Sequence, residues 1–341
     1  MPTSPSVFVT GATGFVGAWL VRYFAERNWS VTASGRGEAP VPLLAYARYL
    51  CADLRRPFSP VGADVVVHAA ALASDSASAA DLQAANVDGT RHVFEATQHS
   101  HTFVYISSAS VYDYRRTVHT EEEAVDHPQL SRYGRSKRQA EDWLMQQDWS
   151  RRTLIILRPR AVYGPGDRVL LPRLLRLVRG DRMIIPGSMR VQSSLTHVEN
   201  LCSAVLSSLR YFEKQRGGIH RFNVADAEPY EMREVVGQLL PTVCGRPLTF
   251  RELPIAPLYA LAGLAALLRV PTSFTRFGLA AVSQRCTLDI KRITETIDFK
   301  PNRNFWEALP GLCVWADQVG IAALRAARPD LPWLMPGSLL P

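Results

Sequence analysis

The sequence predicts an α/β protein built on a doubly wound parallel sheet, with a smaller C-terminal α/β domain. Short apolar runs alternate with longer amphipathic stretches as far as Arg160, a pattern typical of βα units in a helix-covered parallel sheet. A glycine-rich turn also follows the first apolar run. The length of 341 residues, with 47% hydrophobic and 21% charged residues, is ordinary for about two globular domains.

Each apolar run is predicted as a strand, and each longer amphipathic stretch as a connecting helix. The predicted strands are Val7–Thr10, Val31–Ser34, Tyr49–Ala52, Asp64–His68, Thr102–Ser107 and Thr153–Arg158. The predicted helices are Phe15–Arg27, Asp81–Gln98 and Tyr133–Gln147. Further along, Ser194–Leu209 predicts a helix and Arg221–Val224 a strand.

The pattern changes after Pro159, where Pro, Gly and Arg become frequent and strands become less obvious. We therefore expect a first domain over residues 1–165, which the chain rejoins at about residues 194–225. Residues 166–193 and 226–330 are expected to form the second, substrate-binding domain, and residues 331–341 a tail.

The stretch Leu253–Leu268 carries no charge. Its 16 residues fall short of the roughly 20 that span a bilayer, so no stable membrane insertion is expected. A buried or lid helix is the favoured interpretation, and contact with a membrane surface is the alternative.

Charge and cysteine usage exclude several classes of partner. The net charge of +8 comes from dispersed arginines rather than from basic blocks interleaved with aromatic residues, so no nucleic acid is expected as partner. The five cysteines lack CxxC pairs, which predicts reduced thiols and no metal site. The first residues carry no basic segment ahead of an apolar core, so we expect a cytoplasmic protein.

Gly11, Gly14 and Gly17 follow the first strand and open the first helix. Glycines at this spacing allow a tight turn, a close approach of a pyrophosphate and close packing of helix on strand, while the helix N-terminus offers free N–H groups. The glycines alone would also fit a flexible turn. Their place between a strand and a helix at the start of an α/β chain favours dinucleotide binding to a Rossmann-type sheet.

The end of the second strand favours NADP(H) over NAD. An acidic side chain there would bind the ribose 2′-hydroxyl of NAD, whereas this strand ends in Ser34-Gly35-Arg36. A guanidinium can bind the 2′-phosphate of NADP with two hydrogen bonds, with Ser34 as a hydroxyl donor. The alternative is that Arg36 stacks on adenine or faces solvent.

Tyr133 and Lys137 lie four residues apart on a predicted helix and therefore on one face. A phenol with a pKa near 10 becomes a usable acid or base when an ammonium stabilises its phenolate. Lys137 is one of four lysines among 39 cationic residues, which raises the question whether arginine would fail at this position. The hydroxyls of Ser107 and Ser108 end the preceding strand and could reach the same ligand.

Several motifs then occur in one family's order over about residues 6–318. Beside the glycine turn they are Asp53-Leu54, His68-Ala69-Ala70-Ala71, Asn86-Val87-Asp88-Gly89-Thr90, Ile106–Tyr112, Tyr133 with Lys137, and Leu157–Asp167. On these motifs the chain resembles the extended short-chain dehydrogenases/reductases of the epimerase/dehydratase superfamily. In pattern it is most similar to their 3β-hydroxysteroid dehydrogenase-like branch.

The resemblance implies a role for each matching residue. Tyr133 would be the general acid/base, Lys137 would lower its pKa and hold the nicotinamide ribose, and Ser108 would hydrogen-bond the reacting oxygen. Asp53 would contact adenine, and Asn86 would support the helix beside the site. The candidate cofactor-binding residues are Gly11, Thr13, Gly14, Phe15, Val16, Gly17, Ser34, Arg36, Asp53, Leu54, Ala69, Ala70, Ala71, Asn86, Tyr133, Lys137 and Pro159.

The resemblance favours an NADP(H)-dependent reductase or dehydrogenase over the family's other reactions. Dehydratases usually carry Asp-Glu where this chain has Ala109-Ser110, and enzymes of sugar nucleotides typically carry Asn in place of Arg160. We expect a secondary alcohol or ketone of a hydrophobic, steroid-like or β-keto substrate.

Two alternatives stay open: a nucleotide-sugar epimerase with tightly bound NAD, and a catalytically silent nucleotide-sensing module. The resemblance also implies a homodimer that pairs the helices Asp81–Gln98 and Tyr133–Gln147.

Overall fold

A computed structural model describes residues 4–74, 77–113, 115–124, 130–267, 279 and 283–335. Its strands, in chain order, are β1 (Ser6–Thr10), β2 (Ser30–Gly35), β3 (Arg48–Cys51), β4 (Val65–His68), β5 (Thr102–Ile106), β6 (Val118–His119), β7 (Thr153–Pro159), β8 (Val162–Tyr163), β9 (Val178–Arg179), β10 (Arg182–Pro186), β11 (Gln192–Ser193), β12 (Thr196–His197), β13 (Gly218–Val224), β14 (Tyr230–Glu231), β15 (Thr249–Leu253) and β16 (Thr287–Leu288).

The α-helices connect and cover these strands. They are α1 (Phe15–Ala25), α2 (Ala79–Leu82), α3 (Gly89–Ala96), α4 (Arg132–Met145), α5 (Leu170–Leu175), α6 (Val198–Phe212), α7 (Met232–Cys244) and α8 (Ile255–Leu267), followed by Lys291–Ile297, Phe305–Val319 and Ile321–Arg325. A π-helix spans Gln83–Asp88. Short 3-10 helices span Val41–Ala45, Ala109–Val111, Glu121–Glu123 and Leu331–Trp333.

A seven-stranded parallel sheet in the order β13-β7-β5-β4-β1-β2-β3 forms the centre of the fold. The predicted doubly wound α/β fold is therefore confirmed, and the predicted ends of its first strands agree with the observed ones to within one residue. From β1 the chain adds β2 and β3 on one side of the sheet and then β4, β5, β7 and β13 on the other, so the strand order reverses between β1 and β4. In such sheets a ligand binds outside the carboxyl ends of the strands at that reversal.

The helix predicted over Asp81–Gln98 is three consecutive segments instead of one regular helix. α2 and α3 flank the π-helix, so the helical stretch runs from Ala79 to Ala96. Helix α4 begins one residue before its predicted start, because the Ser131 hydroxyl accepts the Gly134 backbone N–H at 3.0 Å and caps the first turn.

A second apolar core lies in the later part of the chain. Here β10 pairs with β15 in parallel and with β9 in antiparallel register. Side chains from α5, α7, β10 and Phe305–Val319 meet in this core, where Leu175, Met183 and Trp315 are fully buried. This three-stranded sheet explains why the strand pattern is weak after Pro159: the strands are short, and both β9 and β15 have exposed residues.

Asp226 ties the end of the central sheet to this second core. Its carboxylate accepts hydrogen bonds from the hydroxyls of Tyr163 and Tyr230, at 2.7 and 3.0 Å. It also accepts the His197 backbone N–H and the Asn200 amide, both at 2.7 Å. With this many donors around a buried carboxylate, the loop after β13 is held in one position.

The segment expected as a tail begins with buried residues. Leu331, Pro332 and Trp333 form a 3-10 helix and are all buried. The Trp333 indole N–H donates to the Ala12 carbonyl at 3.1 Å, so this segment lies against the glycine-rich turn. Residues 336–341 of the expected tail lie outside the described residues.

Over Leu253–Leu268 a buried or lid helix is expected; burial is wrong for one face of α8, and the lid stays a prediction. Leu261 and Leu264 are 62% and 52% exposed, whereas Ala262 is buried. Leu268 lies outside the described residues. Within the described part of the chain, no helix combines the length and apolar character that crossing a membrane requires.

A fully buried ion pair joins α4 to β7. Arg158 donates to both carboxylate oxygens of Glu141, from Nε at 3.0 Å and from Nη2 at 2.5 Å, and neither side chain is exposed. Its Nη1 donates to the Tyr112 hydroxyl at 3.1 Å and to the Glu121 carbonyl at 2.8 Å. The guanidinium thus fixes the helix, the strand and the loop after β5 relative to one another.

We expect Glu141→Gln to destabilise the protein by about 3 kcal/mol, because it leaves the Arg158 cation buried without its counter-charge. Asp142→Asn is the matched control: the neighbouring residue pairs with Arg138 at 2.7 Å near the surface, and its loss should cost less than about 1 kcal/mol. Urea unfolding followed by circular dichroism measures both changes, and equal losses would contradict the assignment.

Candidate active site

The glycine-rich turn lets two stretches of backbone approach more closely than a Cβ atom would allow. Gly11 has φ +74°, and a Cβ there would lie 2.7 Å from the Ala70 Cα. A Cβ on Gly17 would lie 2.1 Å from the Gly11 carbonyl oxygen. The turn therefore requires glycine at both positions, and it leaves the N-terminus of α1 open to an anion.

A cleft runs along the carboxyl ends of β1, β2, β3 and β4. It is lined by Gly11, Thr13, Gly14, Ser34, Gly35, Arg36, Ala52, Asp53, Leu54, Arg55, Ala69, Ala70, Ala71, Leu72, Ala85 and Arg168. The structure thus brings together most of the candidate cofactor-binding residues from the glycine turn, the end of β2 and the loops after β3 and β4. The cleft lies where a doubly wound sheet binds a nucleotide.

Other candidates lie outside this cleft lining. Phe15, Val16 and Gly17 belong to the first turns of α1, and Phe15 packs against the Gly166 loop. Asn86 lies on the π-helix and Pro159 at the buried end of β7. Tyr133 and Lys137 lie on α4.

Asp53 is engaged by a neighbouring arginine that sequence reasoning missed. Arg55 donates to its carboxylate from Nε at 3.0 Å and from Nη2 at 2.6 Å. The hydrogen bonds from Arg55 hold the Asp53 pKa at about 2, below its usual value. The carboxylate is thus ionised and its charge is matched, which leaves Arg36 as exposed cationic lining of the cleft beside the buried Ser34.

Arg168 is the second cleft residue that sequence reasoning missed. The Trp19 indole N–H donates to the Pro165 carbonyl at 2.7 Å, and a Cβ on Gly166 would lie 3.3 Å from the Phe15 ring. The loop before Arg168 therefore lies on the first turns of α1. The one available signal was its place directly after Gly164-Pro165-Gly166-Asp167 in a motif already recognised.

The side chain of Arg168 is held from the C-terminal segment and is incompletely satisfied. Its Nη2 donates to the Ala327 carbonyl at 3.4 Å. Its Nε is buried and has no hydrogen-bond partner among the described residues, and the same is true of the Ser34 hydroxyl. Buried donors without partners are uncommon, so these two groups fit a ligand with oxygen acceptors.

The loop after β4 is fixed by a buried histidine. His68 Nδ1 lies 2.7 Å from the Thr10 hydroxyl, and Nε2 lies 3.0 Å from that of Thr90. The Thr10 hydroxyl oxygen accepts the Ala70 backbone N–H at 3.2 Å. Burial, with a smaller effect of Lys137, lowers the pKa of His68 to about 3. His68 is therefore neutral at physiological pH, and its imidazole links the hydroxyls of Thr10 and Thr90.

Asn86 connects this loop to α4. Its Oδ1 accepts the Leu72 backbone N–H at 2.7 Å, and its Nδ2 donates to the Ser136 hydroxyl at 2.9 Å. The residue stands on the π-helix, a local irregularity that often occurs at functional sites. The loop after β4 and the helix that carries Tyr133 are therefore held at a fixed spacing.

Gly134 brings Tyr133 to the loop that carries Ser108. A Cβ on Gly134 would lie 2.1 Å from the Ser110 carbonyl oxygen, so α4 approaches this loop closely only because the residue is glycine. The Ser108 hydroxyl accepts the Ser110 backbone N–H at 3.1 Å and donates to the Ser110 hydroxyl at 3.1 Å. Tyr133, the neighbour of Gly134 and the second residue of α4, therefore belongs to the helical turn that approaches the Ser108–Ser110 loop.

Lys137 lies one helical turn deeper and is 2% exposed. Its ammonium donates to the Ile106 carbonyl at 2.7 Å and lies 4.4 Å from the centre of the Tyr105 ring. Burial lowers the Lys137 pKa to about 7, although Glu141 acts in the opposite direction. A buried lysine whose pKa lies near neutrality is a feature of functional sites.

The residues fit a nicotinamide dinucleotide. The glycine turn provides the space for a pyrophosphate, and Ser34 and Arg168, each with a buried donor that has no partner among the described residues, line the same cleft as Arg36. Outside the cleft lining, α4 and the loop it approaches carry the Tyr133 phenol, the buried Lys137 amine and the Ser108 hydroxyl. No group of His, Cys, Asp and Glu in the described part of the chain could hold a metal ion.

Comparisons with known proteins agree with this geometry. Residues 7–225 match the model of the NAD dependent epimerase/dehydratase family. A 4-hydroxy-2-methyl-3-oxo-4-farnesyl-3,4-dihydroquinoline-1-oxide ketoreductase of Stigmatella aurantiaca is 31% identical over 69% of this chain and 72% of its own. A 2-alkyl-3-oxoalkanoate reductase of Stenotrophomonas maltophilia is 29% identical over 76% and 81%. A 3-beta-hydroxysteroid dehydrogenase of Mycolicibacterium neoaurum is 25% identical over 71% of both chains.

Solved structures share the fold at lower identity. The UDP-glucuronic acid 4-epimerase of Bacillus cereus in complex with NAD has a TM-score of 0.69 and 19% identity. The match covers 92% of this chain and 97% of the epimerase. At this identity the likeness concerns the fold.

We expect Gly134→Ala to lower turnover at least tenfold and to reduce stability, because the added Cβ must push α4 away from Ser110. Gly89→Ala is the matched control: its Cβ would meet no atom outside its own turn closer than 3.5 Å, and its α-helical setting favours alanine. Steady-state kinetics and thermal melts of both variants measure the effects. Normal turnover in Gly134→Ala would show that the close approach is unnecessary.

Proposed function

We propose, given that the chain belongs to the NAD dependent epimerase/dehydratase family and is an enzyme of the extended short-chain dehydrogenase/reductase type, that it interconverts a ketone and a secondary alcohol with NADP(H). The observation that carries the proposal is the close approach of α4 to the Ser108 loop, enforced by Gly134. This approach sets the backbone of Tyr133 and Gly134 against the loop that carries Ser108, one turn of α4 before the buried Lys137 amine.

The residues divide the proton chemistry between them. The nicotinamide, when bound, supplies or accepts the hydride. The Ser108 hydroxyl orients the substrate oxygen, and the Tyr133 phenol donates a proton to that oxygen during reduction or removes it during oxidation. The Lys137 ammonium stabilises the Tyr133 phenolate and donates to the nicotinamide ribose. Glu141, one turn further along α4, favours the charged form of Lys137 against the effect of burial, which lowers its pKa to about 7.

Arg36 supports the preference for NADP(H), whereas Arg168 supports binding of either dinucleotide. Arg36 follows the end of β2, where the 2′ position of the adenosine ribose lies in this fold. Arg168 follows the loop that packs on the N-terminus of α1, where the pyrophosphate lies. We assign Arg36 to cofactor selection and Arg168 to the pyrophosphate common to NAD and NADP.

An apolar β-keto compound is the substrate class that fits best. The Stigmatella and Stenotrophomonas relatives are, by their names, a ketoreductase and a 3-oxoalkanoate reductase. Ala109 and Ser110 provide no carboxylic acid for a dehydration, and Arg160 binds the Ser193 hydroxyl at 3.0 Å where sugar-nucleotide enzymes typically carry Asn. A homodimer through Ala79–Ala96 and α4, in the cytoplasm, completes the proposal.

Replacing Tyr133 by phenylalanine tests the chemistry. Because it removes the proton donor alone, Tyr133→Phe should lower kcat for NADPH-dependent reduction of a 2-alkyl-3-oxoalkanoate by roughly 10²-fold or more. The dissociation constant for NADPH should change little. Tyr211→Phe, at a half-exposed tyrosine of α6, is the control and should keep full activity.

Two outcomes would replace this function by an alternative. Full turnover in Tyr133→Phe would show that the Tyr133 phenol is not the proton donor. NAD that copurifies with the wild-type protein, together with conversion of a nucleotide sugar and no ketone reduction, would identify an epimerase.

The two arginines should respond differently to substitution. Arg36→Ala should raise the dissociation constant of NADPH at least tenfold and that of NADH little, because NADPH carries the 2′-phosphate and NADH does not. Arg168→Gln should weaken both cofactors by about the same factor. Fluorescence titration measures all four constants.

Adenosine 2′-monophosphate, which has no pyrophosphate, separates the two roles. Its binding should depend on Arg36 and be unaffected by Arg168→Gln. Equal effects of Arg36→Ala on NADPH and NADH would contradict the assignment of Arg36.

A further inference from the structure

A short segment near the C-terminus, the strap Leu331–Met335, joins the two apolar cores beside the glycine-rich turn. Leu331 is fully buried and belongs to the second core, whereas the buried Trp333 belongs to the core of the central sheet. Met335 packs against the core of the central sheet as well. The strap lies outside residues 7–225, which match the family model, so the family match does not account for this contact with the cofactor turn.

Trp333 satisfies a carbonyl group of the turn. Its indole N–H donates to the Ala12 carbonyl at 3.1 Å, and Ala12 has no exposed surface. Because water does not reach this carbonyl, loss of the indole would leave a buried acceptor without a donor, which costs free energy. The indole therefore fixes the orientation of the peptide group between Ala12 and Thr13.

This peptide group carries a donor on its other side. The peptide bond is trans, and the carbonyl and N–H groups of a trans peptide point in opposite directions. The Thr13 N–H thus points away from Trp333, and Thr13 lines the cofactor cleft. The next N–H, that of Gly14, is bonded inside the turn to the Gly11 carbonyl at 2.8 Å. Fixing the Ala12 carbonyl therefore also fixes the direction of the Thr13 donor at the cleft.

The same strap packs on the loop before Arg168. A Cβ on Gly166 would lie 3.2 Å from the Pro332 Cα and 3.6 Å from the Met335 Cγ. Asp330, just before the strap, acts on Arg168 itself: burial lowers the pKa of the guanidinium, and the Asp330 carboxylate opposes this effect. One short segment therefore supports both the glycine-rich turn and the cationic loop beside it.

We propose that Trp333 is a positioning residue for the dinucleotide, whose indole holds the Ala12–Thr13 peptide and keeps the glycine-rich turn preorganised for the cofactor. The proposal rests on the proposed function, because it requires a dinucleotide in this cleft. Without the indole, the turn must become ordered when the cofactor binds, and this ordering lowers affinity. NADPH and NADH share the pyrophosphate that lies on the turn, so both should be affected equally.

Replacing Trp333 by phenylalanine tests the role of the indole N–H, because an aromatic ring is kept and the donor is lost. Trp333→Phe should raise KM and the dissociation constant of NADPH and of NADH by the same factor, roughly tenfold. At saturating cofactor, kcat should be unchanged. Fluorescence titration and steady-state kinetics measure these constants.

Trp315→Phe is the matched control. Trp315 is fully buried in the second core, and its indole nitrogen has no hydrogen-bond partner among the described residues. The same substitution there should lower the melting temperature but leave the dissociation constants of both cofactors unchanged.

Hydrogen–deuterium exchange of the wild-type protein tests the same coupling without a variant. If the strap favours cofactor binding, the cofactor must stabilise the strap. The backbone N–H groups of Trp333 and Leu334 donate to the carbonyls of Asp330 and Leu331, at 2.9 and 3.2 Å, so their exchange reports opening of the strap. Saturating NADPH should slow this exchange severalfold, and that of the α7 amides much less.

Several results would overturn the positioning role. Unchanged dissociation constants in Trp333→Phe are the first, and equal weakening in Trp315→Phe is the second. A lower kcat with unchanged KM would also overturn it, because this pattern indicates loss of folded enzyme and not of turn geometry. Exchange of the strap amides that NADPH leaves unchanged is the fourth.

Cofactor binding and ketone reduction are separate measurements, so failure of this role is distinguishable from failure of the proposed function. If the wild type binds a dinucleotide and Trp333→Phe weakens it, but no ketone is reduced, the positioning role stands and the proposed reaction is wrong. If the wild type reduces the ketone and Trp333→Phe binds both cofactors as tightly, the reaction stands and the positioning role is wrong.

Discussion

The buried pair of Arg158 and Glu141 is the interaction on which the catalytic end of the molecule depends. Glu141 follows Lys137 by one turn of α4 and also accepts the hydroxyl of Ser107, the neighbour of Ser108. Burial by itself lowers the pKa of Arg158, but the Glu141 carboxylate holds it above its ordinary value. The charge therefore persists in the interior, and it can do so because each oxygen of Glu141 has a donor.

The same pair reaches beyond α4 through Tyr112. The Tyr112 hydroxyl binds Arg158 and donates to the Asn223 side-chain oxygen at 2.5 Å. The Asn223 backbone N–H in turn donates to the Glu121 carboxylate at 2.8 Å. The loop between Ser108 and Tyr133 is thereby tied to β13, a strand far along the chain. A general acid needs such support, because small displacements from the reacting oxygen are costly in rate.

Sequence reasoning succeeds where a feature depends on neighbouring residues. The glycine turn, the ends of the strands and the Tyr133–Lys137 pair each consist of residues that are close together in the sequence. Local rules therefore predict them. Arg168 lines the cleft and Trp333 packs on the glycine turn through contacts with distant parts of the chain, and no periodicity marks either residue. For α8 the sequence left burial, a lid and a membrane-surface contact open, because a helix apolar on all faces normally indicates burial and its exposure depends on what packs against it.

The pKa of Lys137 shows what this site costs in stability. In the unfolded chain a lysine keeps its proton up to about pH 10.4, whereas burial lets Lys137 lose its proton at about pH 7. Between these values the unfolded state binds more protons, so this group makes stability rise with pH across that window. At neutral pH the fold therefore carries part of the penalty of a buried ammonium, which the Ile106 carbonyl and the Tyr105 ring offset only in part. A less buried lysine would remove the penalty, but it would also admit water to the site where the proposed function has this ammonium stabilise the Tyr133 phenolate.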